Sequence, residues 1–298
     1  MKELVSVIIP TYGSSRSIID VIKSVMHSSY RPLEIVVVDN GLASDIFHSV
    51  EKVLRSSSLD YKIIKNAINL GTAAGRNVGA RVASGKFLFF LDHDIILDSK
   101  AIETMMQFLK EKLDYGIVGP LIYYYGMQQE VWWSGGTVLC PSGRVIMNTD
   151  IPLTEIRDTD VVPAAMMVSI KVFNLIGGFY EEYFSTFEDS EFCFKAKRLG
   201  YKVACIVRAV AYHYTPVDKK SQTVRLLNRI RLIMRNRFIF IRRNCDNVLN
   251  LLLYLLLFNW FFLGYYFCLL VSNKKIYLLK DLFGGTKEGL VFFFKKEL

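Results

Sequence analysis

The chain alternates between short apolar runs and longer stretches in which apolar residues recur every three or four positions. Short runs such as residues 4–9 and 34–38 predict β-strands, and recurrent stretches such as residues 18–26 and 46–54 predict amphipathic helices. Strands and helices in alternation are typical of right-handed βαβ units. The first two thirds of the chain therefore predict an α/β fold in which helices flank a mostly parallel central sheet.

One apolar run ends in acidic residues. Phe87–Leu91 (FLFFL) is too short for a helix and predicts a strand that is buried on both faces, with Asp92 and Asp94 directly after it. Ligands bind beyond the carboxyl ends of strands in open α/β sheets, and two such carboxylates suit Mg²⁺ or Mn²⁺ that also takes phosphate oxygens. An Asp-x-Asp occurs by chance about once in a chain of this length, so the triplet alone is weak evidence. Its position directly after a buried strand is what supports the predicted metal site. His213, after another predicted strand, is either a further metal ligand or structural.

Residues 69–80 (NLGTAAGRNVGA) predict a helix with one basic side chain near its start. Gly71, Gly75 and Gly79 would share one face, where the backbone packs closely against the sheet or approaches a ligand. Arg76 has three alternatives that the sequence leaves open: it holds an anionic diphosphate, it stacks on a base, or it is solvated.

A second acidic cluster, Glu188, Asp189 and Glu191, begins a predicted helix within residues 184–199. A hydroxyl and an acid three residues later, such as Thr186 with Asp189, match the capping box, which needs one acid and not three. A carboxylate at a helix start beside a cleft is placed to act as a general base. The cluster is therefore a candidate catalytic site.

Composition changes the picture in the last third of the chain. The hydrophobic fraction of 52% and the mean hydropathy of +0.27 are high for a soluble enzyme, and the net charge is +9. Residues 218–244 hold nine Lys or Arg and one Asp, and residues 248–272 hold no formal charge. These features predict a basic amphipathic helix on an anionic membrane surface, and they disfavour nucleic acid as a partner. Three placements are expected for the apolar segment. The first-ranked is a helix that spans the bilayer, and the others are a helix at the bilayer surface and a buried helix in a dimer.

The chain is expected to lie in the cytosol for most of its length. Five cysteines are odd in number and lack metal-ligand spacing, so reduced thiols are expected. The sequence enters a strand directly after its first residues, without the pattern of a signal peptide. Arginines upstream of the apolar segment outnumber the lysines after it, which favours a cytosolic upstream side. The expected location is the cytoplasmic face of the cell membrane.

Six motifs in this order resemble those of glycosyltransferase family 2, which has the GT-A fold, and most of all its rhamnosyltransferase-like branch of cell-surface glycan enzymes. The resemblance covers roughly residues 4–216. The motifs are VSVIIPTYG (5–13), VVVDNG (36–41), NLGTAAGRNVGA (69–80), FLDHD (90–94), GGFYEEYFSTFEDSEFCFKAKRLGY (177–201) and AYHY (211–214).

The resemblance implies an inverting, metal-dependent transfer of a sugar from a UDP- or dTDP-sugar. It assigns the nucleotide-binding role to five residues: Thr11, Tyr12, Asp39, Arg76 and Asp92. It implies Asp94 as the direct ligand of Mn²⁺ or Mg²⁺, Asp92 in the metal's water shell, and His213 as a further ligand. Asp189 corresponds to the catalytic base, with Glu188 orienting the acceptor or the base.

The resemblance and the composition together predict an organisation and partners for the chain. Residues 1–217 would form the GT-A catalytic domain, residues 218–247 the basic helix, and residues 248–298 a membrane-associated or transmembrane segment. The acceptor would be a hydroxyl of a lipid-linked or cell-surface glycan, and a homodimer is an open alternative. Two rival functions are a sugar nucleotidyltransferase of related fold and a catalytically silent nucleotide-binding membrane partner. The first normally opens with a Gly-rich basic loop, whereas residues 11–17 contain one Gly and one Arg.

Overall fold

Ten strands form one mixed sheet in the computed structural model, which describes residues 2–13, 15–245 and 247–295. The strands are β1 (Val5–Gly13), β2 (Leu33–Leu42), β3 (Asp60–Lys65), β4 (Phe87–Leu91), β5 (Ile95–Leu97), β6 (Tyr115–Tyr124), β7 (Met127–Trp133), β8 (Gly136–Leu139), β9 (Arg144–Met147), β10 (Ile156–Asp158), β11 (Ala165–Ser169) and β12 (Lys202–His213). Strands β8 and β9 form a separate hairpin.

Helices flank this sheet and then continue beyond it. They are α1 (Ser17–Met26), α2 (Ser44–Arg55), α3 (Gly71–Val82), α4 (Ala101–Glu111), α5 (Ile170–Ile176), α6 (Glu188–Arg198), α7 (Lys219–Asn228), α8 (Ile230–Asn244), α9 (Val248–Leu253), α10 (Asn259–Ser272) and α11 (Leu279–Phe294). A π-helical turn, Tyr254–Phe258, joins α9 to α10.

The strand order is β10-β12-β6-β11-β4-β1-β2-β3, with β5 paired to β12 and β7 to β6. Strands β4, β1, β2 and β3 are parallel, as are β6 and β12, whereas β11 lies antiparallel between β4 and β6. The predicted α/β class with a mostly parallel sheet is confirmed. Because β1, β2 and β4 run in the same direction, their carboxyl ends meet at one edge.

The strand that precedes Asp92 and Asp94 is confirmed with the predicted bounds, Phe87–Leu91. Its last four side chains are fully buried, as expected for a strand covered on both faces. Its neighbours are β1, which is parallel, and β11, which is antiparallel, so the sheet is mixed at its centre.

Strands β1 and β2 are longer than predicted. The sequence places the end of β1 at Pro10, yet the pairing of β1 with β2 continues through Thr11↔Asp39. The pairing of β1 with β4 ends at Ile8↔Phe90, so β2 alone extends the strand. Thr11 and Asp39, at the two strand ends, are therefore paired within the β-sheet and do not lie in turns beyond it.

The predicted single basic helix is two helices, α7 and α8, and most of its arginines contact partners elsewhere in the fold. Arg237 is buried, and its guanidinium carbon lies 3.6 Å from the centroid of the Phe262 ring. The other arginines with partners are Arg225 with Thr215, Arg231 with Asp281 and Glu288, Arg235 with the Glu182 carbonyl, and Arg243 with Glu191. Helix α8 thus connects the acidic segment before α6 to the C-terminal helices.

Helix α11 packs closely on α8 because two glycines face it. A Cβ at Gly285 would lie 2.2 Å from the Arg231 carbonyl oxygen, and a Cβ at Gly289 would lie 2.4 Å from the Phe238 ring. The backbones can approach this closely only where no side chain intervenes. Helices α8 and α11 therefore form one packed unit beneath Val248–Ser272.

Candidate active site

Thr11, Tyr12 and Asp39 lie at the adjoining ends of β1 and β2. Asp39 is buried, and its Oδ1 accepts hydrogen bonds from the N–H groups of Gly41 (2.8 Å) and Leu42 (2.7 Å). Buried Thr11 donates to the Val38 carbonyl at 3.3 Å, whereas Tyr12 is 57% exposed. The strand ends thus combine a fixed carboxylate with an exposed aromatic ring, a combination that suits a nucleoside.

Arg76 of α3 is the centre of a buried ionic cluster. Its side chain is 1% exposed, so the solvated alternative is wrong. Nη2 donates to Asp92 Oδ1 at 2.9 Å, and Nη1 donates to Asp189 Oδ1 and lies 3.9 Å from Glu188 Oε1. Burial lowers the pKa of Arg76, but the three carboxylates outweigh it and raise that pKa above its ordinary value. The guanidinium therefore joins the end of β4 to the start of α6 as a permanent cation.

Two glycines of α3 allow Arg76 to reach these acids. A Cβ at Gly79 would lie 2.3 Å from Ile8 Cγ2, so the helix packs closely against β1. Gly71 has φ +81°, and a Cβ there would lie 2.4 Å from the Phe184 carbonyl oxygen. That oxygen accepts a hydrogen bond of 2.6 Å from Thr72 N–H at the start of α3. The close packing that the glycine spacing predicted is therefore present, with the acidic segment as one of the neighbours.

Glu188 and Asp189 begin α6 without a hydroxyl cap, so the capping-box prediction is wrong. Phe187 occupies the cap position in the left-handed region, and no side chain caps the helix there. The predicted cap, Thr186, accepts a hydrogen bond from Asn236 instead. The two acids are thus left to face the Arg76 cluster.

The acid pair is held where ionisation is costly. Burial raises the pKa of Glu188 to about 8, and the charge of Asp189 contributes to this shift. Burial also raises the pKa of Asp189, although Arg76 opposes it. A carboxylate whose pKa is shifted towards neutrality is a stronger proton acceptor, as a general base requires.

Strained backbone surrounds the acid pair. Four non-glycine residues here have positive φ: Ala164 (62°), Phe184 (60°), Thr186 (69°) and Phe187 (69°). The Ala164 carbonyl accepts a hydrogen bond from Asp92 N–H at 2.8 Å, and its backbone also hydrogen-bonds to Asp189. Such conformations cost roughly 1–3 kcal/mol each and persist only where surrounding contacts enforce them.

Asn236 of α8 holds most of this strained segment, and it was not among the predicted residues. The side chain is fully buried, and its Nδ2 lies 2.8 Å from the carbonyl oxygens of Tyr183 and Ser185 and 3.0 Å from that of Thr186. Its position within a basic helix gave no signal, because the partners are backbone atoms some 50 residues earlier. We call residues 183–187, the loop that leads directly into the acid pair Glu188 and Asp189, the acid loop.

Asp94 and His213 form a second pair at the same edge. Strand β5 pairs antiparallel with the end of β12, opposing Ile95 to His213, and this brings His213 Nε2 to 3.3 Å from Asp94 Oδ2. Burial raises the pKa of Asp94, but the hydrogen bond and charge of His213 outweigh it and lower that pKa. His213 also packs edge-on against Trp132, with ring centroids 4.2 Å apart, whereas Trp133 is fully buried.

These atoms fit a divalent cation only in part. Two donors, a carboxylate oxygen and an imidazole nitrogen, converge, which leaves room for phosphate oxygens and water, as Mg²⁺ and Mn²⁺ prefer. Within residues 2–13, 15–245 and 247–295, no three His, Cys, Asp or Glu side chains are gathered as a metal site. Asp92 is directed to Arg76 and not to this pair.

The predicted residues thus fall into three groups at one edge of the sheet. Arg76, Asp92, Glu188 and Asp189 are in contact, Asp94 pairs with His213, and the third group is Thr11, Tyr12 and Asp39. An open cavity of about 810 Å³ lies elsewhere, between the second half of α3 and residues 177–184, and is lined by Arg81 and Arg235 among others. None of the predicted site residues lines it.

A family model described as "Glycosyl transferase family 2" matches residues 6–176. A curated relative from Escherichia coli, the UDP-Glc:alpha-D-GlcNAc-diphosphoundecaprenol beta-1,3-glucosyltransferase WfgD, is 34% identical over 106 residues, which is 36% of this chain and 41% of the relative. Alignments to the curated relatives cover between 15% and 42% of their length.

Solved structures share the fold. The mannosyltransferase PcManGT from Pyrobaculum calidifontis, in complex with GDP-Man and Mn²⁺, superposes with a TM-score of 0.62 at 16% identity, covering 97% of this chain and 88% of that one. TarS from S. aureus, in complex with UDP-GlcNAc, superposes with a TM-score of 0.54 at 19% identity, covering 79% of this chain and 66% of that one.

Proposed function

Because this chain belongs to glycosyltransferase family 2, we propose that it catalyses an inverting transfer of a sugar from a UDP- or dTDP-sugar to a hydroxyl group of a glycan. The observation that carries the proposal is the buried Arg76, which joins Asp92 beyond β4 to Asp189 at the start of α6. A buried, strained cluster of one cation and three carboxylates adds little to stability, since buried ion pairs rarely repay their desolvation. Such an arrangement at the ligand edge of the sheet is more consistent with catalysis.

Asp189 is the proposed base. The acceptor oxygen attacks the anomeric carbon, Asp189 takes the hydroxyl proton, and the bond from that carbon to the nucleoside diphosphate breaks with both electrons on the leaving oxygen. A single displacement inverts the anomeric centre. Arg76 fixes the orientation of Asp189, and Glu188, whose pKa is raised to about 8, stays largely protonated near neutral pH beside it.

The remaining groups bind the donor. Asp39 and Thr11 hold the nucleoside, and Tyr12 offers a ring for stacking. Asp94 and His213 are the proposed ligands of Mn²⁺ or Mg²⁺, with Asp92 nearby. The cation, when bound, offsets the negative charge that develops on the departing diphosphate.

A lipid-linked or cell-surface glycan is the proposed acceptor, and the cytoplasmic face of the membrane is the proposed location. The support is chemical: WfgD acts on a diphosphoundecaprenol-linked sugar by its name, and this chain has a 25-residue apolar helix, Val248–Ser272, long enough to associate with a bilayer.

Release of nucleoside diphosphate from a panel of UDP-, dTDP- and GDP-sugars with Mn²⁺ tests the proposal. Asp189→Asn should lower turnover by about 10²–10⁴-fold, the usual contribution of a general base, with donor binding retained. Asp94→Ala should abolish the dependence of donor binding on Mn²⁺. The matched control is Asp114→Asn, because Asp114 is an exposed acid before β6, at the opposite edge of the sheet.

Two outcomes would replace the proposal. Pyrophosphate release from a nucleoside triphosphate and a sugar phosphate would identify a sugar nucleotidyltransferase. Donor binding without any release of diphosphate, with or without a lipid-linked acceptor, would identify a silent nucleotide-binding partner.

A further inference from the structure

The helix Val248–Ser272 is buried along one stripe only. Its buried residues recur at helical spacing, and they are Tyr254, Asn259, Phe262, Tyr266 and Leu270. The rest of its surface is exposed and apolar, with Leu252, Leu256, Leu257, Trp260, Phe261, Tyr265 and Val271 each more than 40% exposed. A continuous apolar face of this size on a folded chain marks a binding surface.

The buried stripe rests on a charged helix. Arg237 of α8 lies 3.6 Å from the Phe262 ring and 6.0 Å from the Tyr266 ring, measured from the guanidinium carbon to the ring centroid. Within the part of the chain that the structure describes, Arg237 Nε and Nη1 have no hydrogen-bond partner. Phe262 is the fifteenth of the 25 residues, so this cation sits beside the middle of the apolar helix.

This packing is incompatible with a helix that spans a bilayer. If Val248–Ser272 crossed the hydrocarbon core, α8 would lie in that core beside it, together with its arginines and the acid loop that Asn236 holds. Helix α11 would follow, with Asp281 and Glu288 paired to Arg231. Charged groups at bilayer depth are rare and costly, and irregular backbone exposed to lipid is not tolerated.

The exposed residues that follow this helix in the chain identify the partner. Lys274 and Lys275 lie within three residues after Ser272, and the exposed stripe of α11 contains both basic and apolar residues: Lys280, Phe283, Lys287, Val291 and Phe294. Lysines that flank exposed aromatic and aliphatic side chains are typical of an interface with anionic lipid. A second protein copy would not require this basic margin.

We propose that Val248–Ser272 lies in the plane of an anionic membrane leaflet, with its exposed apolar face in the acyl boundary and its buried stripe on α8. The proposal favours the second of the three expectations for this segment, a helix at the bilayer surface, over the first, a spanning helix. The proposal rests on the membrane attachment suggested above and not on the transfer chemistry.

The depth of Trp260 tests the proposal. This residue is 63% exposed and is the thirteenth of the 25 residues, so a spanning helix would place its indole at the bilayer centre. The full chain is bound to phosphatidylglycerol vesicles that carry bromine atoms at different acyl depths, and tryptophan fluorescence is recorded. In-plane binding predicts the strongest quenching from the shallowest bromines, and this quenching disappears in Trp260→Phe, which separates it from Trp132 and Trp133.

Phe261→Glu should weaken vesicle binding at least tenfold, because it places a charge on the lipid-facing surface. Leu153→Glu is the matched control, since Leu153 is fully exposed and lies outside the C-terminal helices, and its binding should be unchanged.

Strongest quenching from the deepest bromines would overturn the proposal in favour of a spanning helix. Failure to bind these vesicles, with concentration-dependent self-association in sedimentation, would overturn it in favour of a dimer interface. Release of nucleoside diphosphate from a soluble donor is measured separately, so either failure leaves the proposed chemistry intact.

Discussion

Replacement of Asn236 should damage catalysis more than its distance from the reacting atoms suggests. Asn236→Ala removes the amide that faces the carbonyl oxygens of Tyr183, Ser185 and Thr186 in the acid loop. The amide has two hydrogens, so at most two net hydrogen bonds are lost. Each buried carbonyl left without a donor costs about 1–3 kcal/mol, so two of them predict a loss of about 2–6 kcal/mol in the free energy of unfolding.

The catalytic effect follows from the strain that Asn236 helps to hold. Without it, Thr186 and Phe187, both at φ 69°, can relax from the left-handed region and move Asp189 away from the acceptor. A displacement of about 1 Å can cost about 10²-fold in rate, so kcat should fall 10–100-fold. The donor KM should hardly change, because the proposed nucleoside-binding residues Thr11 and Asp39 lie on β1 and β2 and not on the acid loop.

A neighbour in the same helix provides the control. Asn244 is also buried, and its amide donates to the Phe240 carbonyl of its own helix, at 3.0 Å. Asn244→Ala should cost about 1 kcal/mol and leave kcat unchanged. Urea unfolding measures the change in stability of both variants, and steady-state kinetics measures the change in kcat. If Asn236→Ala retains the wild-type kcat at temperatures where it is folded, the acid loop does not depend on α8 and the reasoning is refuted.

Three further changes have defined outcomes. Arg76→Lys should lower kcat at least about 10²-fold, since an ammonium cannot replace the forked contact to Asp92 and Asp189; turnover within threefold of wild type would remove Arg76 from the site. The pKa of Glu188 is raised from 4.5 to about 8, so the folded state binds this proton more tightly and stability falls as pH rises through that window. Glu188→Gln should abolish that fall, and its stability relative to wild type in urea unfolding should therefore rise from pH 5 to pH 8; a constant difference would contradict the assigned shift. Gly71→Ala should destabilise the fold by about 1–3 kcal/mol in thermal unfolding, because Gly71 has a positive φ and its new Cβ would meet the Phe184 carbonyl; an unchanged Tm would show that the acid loop can move freely.

Local pattern predicted the elements that carry the site. The five apolar residues of β4 gave its bounds, and the apolar spacing through residues 18–26 and 46–54 gave α1 and α2. The position of Asp92 and Asp94 beyond a buried strand was enough to place them at the ligand edge. These features depend on periodicity and burial, which neighbouring residues determine.

Long-range contacts could not be predicted in the same way. The capping box at Thr186 satisfies every local rule, yet the contact from Asn236 on α8 holds that segment in another conformation. The arginines of α7 and α8 resemble a free basic face, but their partners include Glu191 and Glu288, far away in sequence. Spacing cannot reveal such pairs, because tertiary packing creates them.

The stereochemistry of donor cleavage tests the central claim most directly, and it requires no knowledge of the acceptor. The enzyme with Mn²⁺ is given its preferred nucleoside diphosphate sugar, water serves as acceptor, and proton NMR follows the anomeric signals before mutarotation. A single displacement assisted by Asp189 predicts that the anomer opposite to that of the donor is released first, and that Asp189→Asn suppresses its appearance. First release of the donor's own anomer, or an unaltered rate in Asp189→Asn, would contradict the account.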